Sequence, residues 1–441
     1  MKILFISLGC DKNLVDSEKM LGLLDEKGYC MTDDETAADV IVINTCCFIN
    51  DAKEESVQTI LEMAEYRKNG NCKALIVTGC LAQRYQKEIT EEIPEVDAVL
   101  GTTSYDKILE AIENALKGQV YERFEDIQRL ALPEGKRLLT TGGHYAYLKI
   151  AEGCNKHCTY CIIPKVRGNF RSVPMEQLVT EAESLAREGV KELILVAQET
   201  TLYGTDLYGE KSLHTLIRRL CAIQGIRWIR VLYCYPEEIY EELIQTMKEE
   251  PKFCHYLDLP IQHASDGILR RMGRRTTRKD LEQIIGRLRE EVPDIILRTT
   301  LITGFPGETE EQHQELMEFV DQMEFNRLGV FTYSPEEDTP AASMAEQIPE
   351  EVKQRRRDEL MELQQEVAFD LAEDMVGQSV WAMIEGQVSG ENAYVARTYG
   401  DAPGVDGYLF INTDEVLVTG DFAKVKITGA CEYDLIGELE K

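Results

Sequence analysis

The sequence is short of positive charge. Across 441 residues, 48 lysines and arginines face 79 aspartates and glutamates, a formal net charge of −31. Holding RNA or DNA by broad phosphate neutralisation needs surplus lysine and arginine, so that mode of binding is disfavoured. The deficit suits a basic partner, or solubility alone. It is not one tail: residues 1–116 carry 11 basic and 22 acidic groups, and residues 376–441 carry 4 and 11.

Also missing is any apolar run of about 18 residues, so no transmembrane helix is expected. The apolar stretch at residues 3–8 meets Asp11-Lys12 too soon for a secretory signal and reads as a buried first strand. A soluble, cytoplasmic protein is the expectation. In that compartment 13 cysteines, an odd number, do not make a disulfide framework. They divide instead into buried thiols and metal ligands.

What is present is core material, 44% hydrophobic residues, in an alternating pattern. The first third sets apolar, β-branched runs at residues 2–8, 40–44 and 73–78 between amphipathic stretches at 16–27 and 51–66. Strands alternating with helices imply a parallel sheet, whose ligands bind at the carboxyl ends of the strands. Each run ends in a cysteine: Cys10, Cys46 and Cys80, separated by 36 and 34 residues, about one βαβ unit each. Three thiols at equivalent strand ends meet at one point, which favours a shared metal or cluster over coincidence. Cys47, Cys30 and Cys72 read as bystanders.

Residues 117–139 form a polar connection containing Pro133-Glu134-Gly135. Strand candidates then follow at 145–150, 192–197, 228–233, 256–261, 295–302 and 328–333. Six strands with intervening helices suggest a complete or partial β/α barrel over residues 140–370, with its working face at the strand C-termini. A charged helix is expected at 351–375. Short glycine-punctuated runs at 379–384, 408–411 and 423–427 then suggest a small antiparallel barrel over 376–441. The fold class is therefore α/β multidomain, with the first domain at 1–116.

Directly after the first barrel strand comes Glu152-Gly153-Cys154-Asn155-Lys156-His157-Cys158-Thr159-Tyr160-Cys161. Three thiolates on one loop suit a soft metal centre. Structural zinc would need a fourth ligand, for which His157 is the local candidate. A cubane held by three cysteines leaves one iron open.

This spacing after a barrel strand resembles the radical S-adenosylmethionine enzymes. The whole chain is similar to their methylthiotransferase family. The likeness includes Ile163-Pro164 followed by Arg167-Gly168 and Arg171-Ser172, Pro260-Ile261-Gln262-His263-Ala264-Ser265, and Gly304-Phe305-Pro306-Gly307-Glu308-Thr309. The resemblance implies two 4Fe-4S clusters. Cys154, Cys158 and Cys161 would hold the one that binds and splits S-adenosylmethionine, with Tyr160 beside the cofactor. Cys10, Cys46 and Cys80 would hold an auxiliary cluster carrying the sulfur. One S-adenosylmethionine would donate methyl and a second would generate the radical, with electrons from an unidentified donor. Gln198-Glu199-Thr200 and Gly304 are candidates for lining the cofactor site, although Glu199 could equally cap a turn. His263 is either a site residue or a structural hydrogen-bonding group. Arg270, Arg271, Arg274, Arg275, Arg278 and Lys279 read as a solvated run able to meet phosphate.

One branch of the family modifies adenosine in tRNA. The other modifies an aspartate of a basic protein, number twelve of the small ribosomal subunit. The terminal domain resembles TRAM, which usually binds RNA through a basic surface, yet here only Arg397, Lys424, Lys426 and Lys441 oppose 11 acids. That disfavours tRNA and favours the ribosomal protein. Trp381, Tyr394, Tyr399, Tyr408 and Phe410 divide between contact surface and core. A non-catalytic iron–sulfur or zinc scaffold is the alternative of a different class.

Overall fold

The computed structural model describes residues 1–133 and 135–440; Glu134 of the polar connection and Lys441 of the terminal domain lie outside the described residues. The N-terminal domain is a six-stranded, all-parallel sheet of β1 (Lys2–Ser7), β2 (Cys30–Met31), β3 (Val40–Thr45), β4 (Ala74–Gly79), β5 (Ala98–Leu100) and β6 (Tyr121–Arg123), in the order β2-β1-β3-β4-β5-β6. β3 and β4 are buried at every position because helices cover both faces, which is why they read as unbroken apolar runs. The sheet passes residue 116: β6 lies in the stretch expected to be connection and pairs with β5. Only three residues long and exposed at Glu122 and Arg123, it has too little apolar pattern to be noticed.

The central domain has six parallel strands, β7 (Tyr145–Lys149), β10 (Glu192–Val196), β11 (Trp228–Val231), β12 (Phe253–Asp258), β13 (Ile296–Thr303) and β14 (Arg327–Thr332). A short antiparallel pair, β8 (Ala151–Glu152) and β9 (Arg171–Ser172), follows β7. The sheet runs from β7 to β14 without joining its ends, so the barrel is partial. The N-terminal domain spans the opening. Its helix Asp11–Glu26 packs against β7, while Arg84 meets Glu336, beyond β14, at 3.1 Å. Helix Glu350–Glu373 packs against β14 and buries Leu360 in the central core.

The C-terminal domain is a closed barrel of β15 (Ser379–Gln387), β16 (Ala393–Thr398), β17 (Leu409–Asn412), β18 (Phe422–Cys431) and β19 (Asp434–Leu439). It is not wholly antiparallel, because β17 and β19 pair in parallel. β16 and β19 were not among the expected strands. β16 is buried nearly throughout and includes an arginine, so it lacks alternation, and β19 contains Gly437, whose missing side chain makes room for Val425.

Candidate functional site

The carboxyl ends of β1, β3 and β4 converge. Cys10 caps helix Asp11–Glu26, Cys46 directly follows β3, and Cys80 opens helix Cys80–Arg84. Two glycines permit this approach. Gly9 (φ +92°) would place a Cβ 2.7 Å from Cys46 Cβ, and Gly79 (φ +96°) one 2.5 Å from the Thr45 carbonyl oxygen. Ser56 Oγ accepts from the Cys46 N–H at 3.0 Å and donates to its carbonyl at 2.9 Å, fixing that turn. Burial, with the Cys80 thiol nearby, pushes Cys46 up to about 12. Burial also raises Cys80, against the pull of Arg167. Cys47 lies in the core behind this edge, Cys72 donates to the Ala74 carbonyl at 3.2 Å, and Cys30 is exposed on β2.

The second triad sits after β8, at the equivalent edge of the central sheet. Gly153 (φ +79°) passes so close to Gly168 and Asn169 that a Cβ would fall 2.1 Å from the Asn169 carbonyl oxygen. The loop is pinned by Cys154 N–H to Gly168 O at 3.1 Å, Phe170 N–H to Asn155 Oδ1 at 3.0 Å and Thr159 N–H to Met272 O at 2.9 Å. Cys154 Sγ accepts from the Lys156 N–H at 3.5 Å, and Cys158 Sγ lies 3.6 Å from Tyr235 Oη. Burial pushes Cys154 up to about 11 and raises Cys161 further. Among the described residues, no three of His, Cys, Asp or Glu gather tightly enough for a single metal ion.

Between the triads runs a buried polar chain. Arg167 Nε donates to Cys80 Sγ at 3.3 Å, and its other nitrogens reach Asp16 (2.8 Å), Glu152 (3.2 Å) and Asn13 Oδ1 (2.6 Å). Lys149 bonds Asp16 and, at 2.7 Å, Glu152. Burial would raise the Glu152 carboxyl, but Lys149 and Arg167 outweigh it and hold it well below the usual range. Gln198 then donates to Glu152 Oε1 and accepts from the Gly153 N–H, both at 2.8 Å. The chain ends one residue before Cys154.

The loop after β11 faces both triads. Tyr233, at φ +60°, lies under the Lys12 ammonium, 3.2 Å from the ring centroid, and donates to Asp11 at 3.3 Å. Two residues on, Tyr235 stacks on Arg274, 4.3 Å away, at the second triad. Arg274 is buried there, while Arg271 pairs with Glu346 and Arg278 with Glu282, so the six-cation run is not one solvated face. The run spans the end of helix Asp266–Arg271, a connecting segment and the start of helix Arg278–Glu291, and Arg274, in that segment, is the one of the six that is buried.

The other expected residues divide. Tyr160 packs edge-on to Phe305 at 6.4 Å, near Cys158. Glu199 caps the next turn through Oε1, accepting from the Thr201 N–H at 2.8 Å, but its Oε2 is buried without a partner. Burial pushes this carboxyl up to about 7. Gly304 (φ +69°) makes room for Lys353: a Cβ there would lie 2.2 Å from Lys353 Cγ. Thr309 caps helix Glu310–Met323 with a reciprocal capping box, so this motif works as turn and cap. His263 Nδ1 accepts from the Ser265 N–H at 2.9 Å, with His313 and Arg356 in electrostatic range, while its Nε2 is buried without a partner. His157 is exposed. Lys12, Tyr233 and Tyr235 were not singled out from the sequence, while Arg167 was noted only within a family motif and Arg274 only within the six-cation run. Their charges and rings were legible, but not their shared location.

The model of the Uncharacterized protein family UPF0004 matches residues 2–101, that of the Radical SAM superfamily residues 148–320, and that of the TRAM domain residues 376–439. Over 440 residues the chain is 63% identical to the ribosomal protein uS12 methylthiotransferase RimO of Lachnoclostridium phytofermentans, covering 100% of both chains. The chain belongs to the RimO family. The protein of the same name from Clostridium botulinum (strain Hall) is 50% identical, with 99% of this chain and 98% of that one covered. Among solved structures, the radical S-adenosylmethionine methyltransferase TsrM of Kitasatospora setae is similar, with a TM-score of 0.55 at 14% identity, covering 77% of this chain and 73% of that one. That likeness is one of fold.

Proposed function

We propose that the chain inserts a methylthio group at the β-carbon of a specific aspartate of ribosomal protein uS12, using S-adenosylmethionine and two 4Fe-4S clusters. The observation carrying this reading is the pair of cysteine triads at strand C-termini, joined by Arg167, Glu152 and Gln198 in a chain alike along its whole length to RimO proteins.

The donor sets fit the groups assigned to them. Cys10, Cys46 and Cys80 would hold the auxiliary cluster and Cys154, Cys158 and Cys161 the other, each leaving one iron open. The groups would supply radical formation and the transferred sulfur, because an inert C–H bond offers no acidic proton to a side chain. The protein's own part is placement. The unpartnered Glu199 Oε2, in electrostatic range of Cys154, suits the ammonium of S-adenosylmethionine. Tyr160, Tyr235 and Arg274 wall the second triad, and the N-terminal domain closes the open barrel edge against water. Lys12, beside Cys10 and paired with Asp11 at 2.9 Å, would be the cation that meets the substrate carboxylate.

The terminal barrel supports a protein substrate over tRNA. Arg397 is fully buried, bonded to Glu192 at 2.8 Å and Glu385 at 2.7 Å, and adds nothing to the outer surface. Asp401 and Asp406 are likewise engaged, by Arg327 and Arg298. Exposed Glu391, Asp414, Glu415, Asp421 and Glu432 then outnumber Lys424 and Lys426, a surface that repels phosphate and attracts a basic protein. Trp381, 53% exposed, and Tyr408 stand on this surface, whereas Tyr394 is core and Tyr399 packs on the central domain.

Mass spectrometry of uS12 from cells lacking this chain tests the reading. Loss of methylthio-aspartate, restored by the intact gene, is expected. Unchanged uS12 together with loss of methylthio-adenosine from tRNA would overturn it.

A further inference from the structure

We infer that Arg167 is a positioning residue that tunes the auxiliary cluster and couples it to the loop holding the other one. The inference rests on the reading that Cys10, Cys46 and Cys80 carry an iron–sulfur cluster. Arg167 ends helix Ile163–Arg167 of the central domain, yet three of its four side-chain partners lie across the domain boundary and the fourth, Glu152, at the second triad's root. Its Nε meets Cys80 Sγ at 3.3 Å, Nη2 meets Asn13 at 2.6 Å, and Nη1 is shared by Asp16 and Glu152. The guanidinium is 2% exposed, so water does not screen it.

Two buried cations, Arg167 and Lys149, balance two buried carboxylates, Asp16 and Glu152. Reduction of a cluster adds negative charge, and an N–H donor to a ligating sulfur stabilises the reduced state. Arg167 therefore raises the potential of the auxiliary cluster. Removing it takes away that donor and leaves the set one negative charge in excess. Through Glu152 and Gln198 the same side chain also fixes Gly153, the residue before Cys154. A rigid planar fork with several donors suits this branching role, which lysine would fill only in part.

The test uses the full chain carrying Cys154→Ala, Cys158→Ala and Cys161→Ala, so that only the auxiliary cluster is read. Absence of iron from this parent would overturn the cluster assignment itself, not the role of Arg167. With iron present, Arg167→Gln should shift the midpoint potential to more negative values and alter the electron paramagnetic resonance signal of the reduced cluster. Arg167→Lys should give a smaller shift of the same sign, and Asp16→Asn, which removes an anion and keeps the donor, a shift of the opposite sign. A merely structural contact would not produce opposite signs. An unchanged potential and spectrum in an iron-retaining Arg167→Gln chain would overturn the inference. If that variant does not hold iron, Arg167→Lys and Asp16→Asn decide it: opposed shifts support the inference, and shifts of one sign or none overturn it.

Discussion

Gly9 has no room for a methyl group. Its positive φ and the 2.7 Å separation from Cys46 Cβ both oppose alanine, and the neighbour in the way is itself a member of the first cysteine triad. Gly9→Ala should therefore lower iron content in the anaerobically purified chain from about eight to about four per molecule, while the second triad keeps its share. Lys12 makes a different kind of prediction. Its ammonium rests over Tyr233 and beside Cys10, so Lys12→Met should raise KM for a uS12-derived substrate several-fold and leave iron content unchanged. Equal rates at low and high substrate in the variant and the parent would refute this.

At the scale of elements, the turn Gly304–Thr309 shows how a family motif can serve architecture. Glu308 sits beneath helix Glu350–Glu373, accepting from the Phe305 N–H at 3.0 Å and facing Arg356 at 3.2 Å. Burial pushes its carboxyl up to about 7, although Arg356 pulls the other way. Between the unfolded and folded values the native state binds more protons than the unfolded one, so this group's contribution to stability falls as pH rises through that window. Glutamine has no such dependence. Between pH 5.5 and 8, Glu308→Gln should gain about 2 kcal/mol relative to the parent, measured as the change in the gap between their thermal melts. An identical gap at both pH values would contradict the argument.

At the scale of the molecule, the domains are joined by buried charge. Glu192 on β10 binds Arg230 of its own sheet and Arg397 of the terminal barrel, all fully buried. Breaking a buried pair by removing one partner costs ~3–5 kcal/mol. Arg397→Met should loosen the barrel, seen as faster proteolysis between helix Glu350–Glu373 and β15, with both clusters retained. The barrel's outer charge gives a further expectation. Reversing Glu391, Asp414 and Glu415 to lysine should weaken binding to uS12 and flatten its dependence on ionic strength. Unaltered affinity across a salt series would place the docking surface elsewhere.

Much of this was legible in the chain. Period-two and apolar runs located the main strands, and cysteines at strand ends and at Cys-x3-Cys-x2-Cys spacing marked both triads, because ligand type and local spacing are properties of sequence. Side-chain surroundings are not. Arg397 counted as a surface cation until the packing of β16 against Glu192 buried it, and the Lys353 side chain lies against Gly304, which it follows by 49 residues in sequence. Arg167 lies 87 residues from Cys80 in sequence and 3.3 Å from it in space. The deficit of positive charge could be counted from composition alone. Which of the remaining cations face water, which face a cysteine triad and which lock two domains together was decided only by the tertiary structure, because burial and pairing depend on neighbours that the linear order keeps apart.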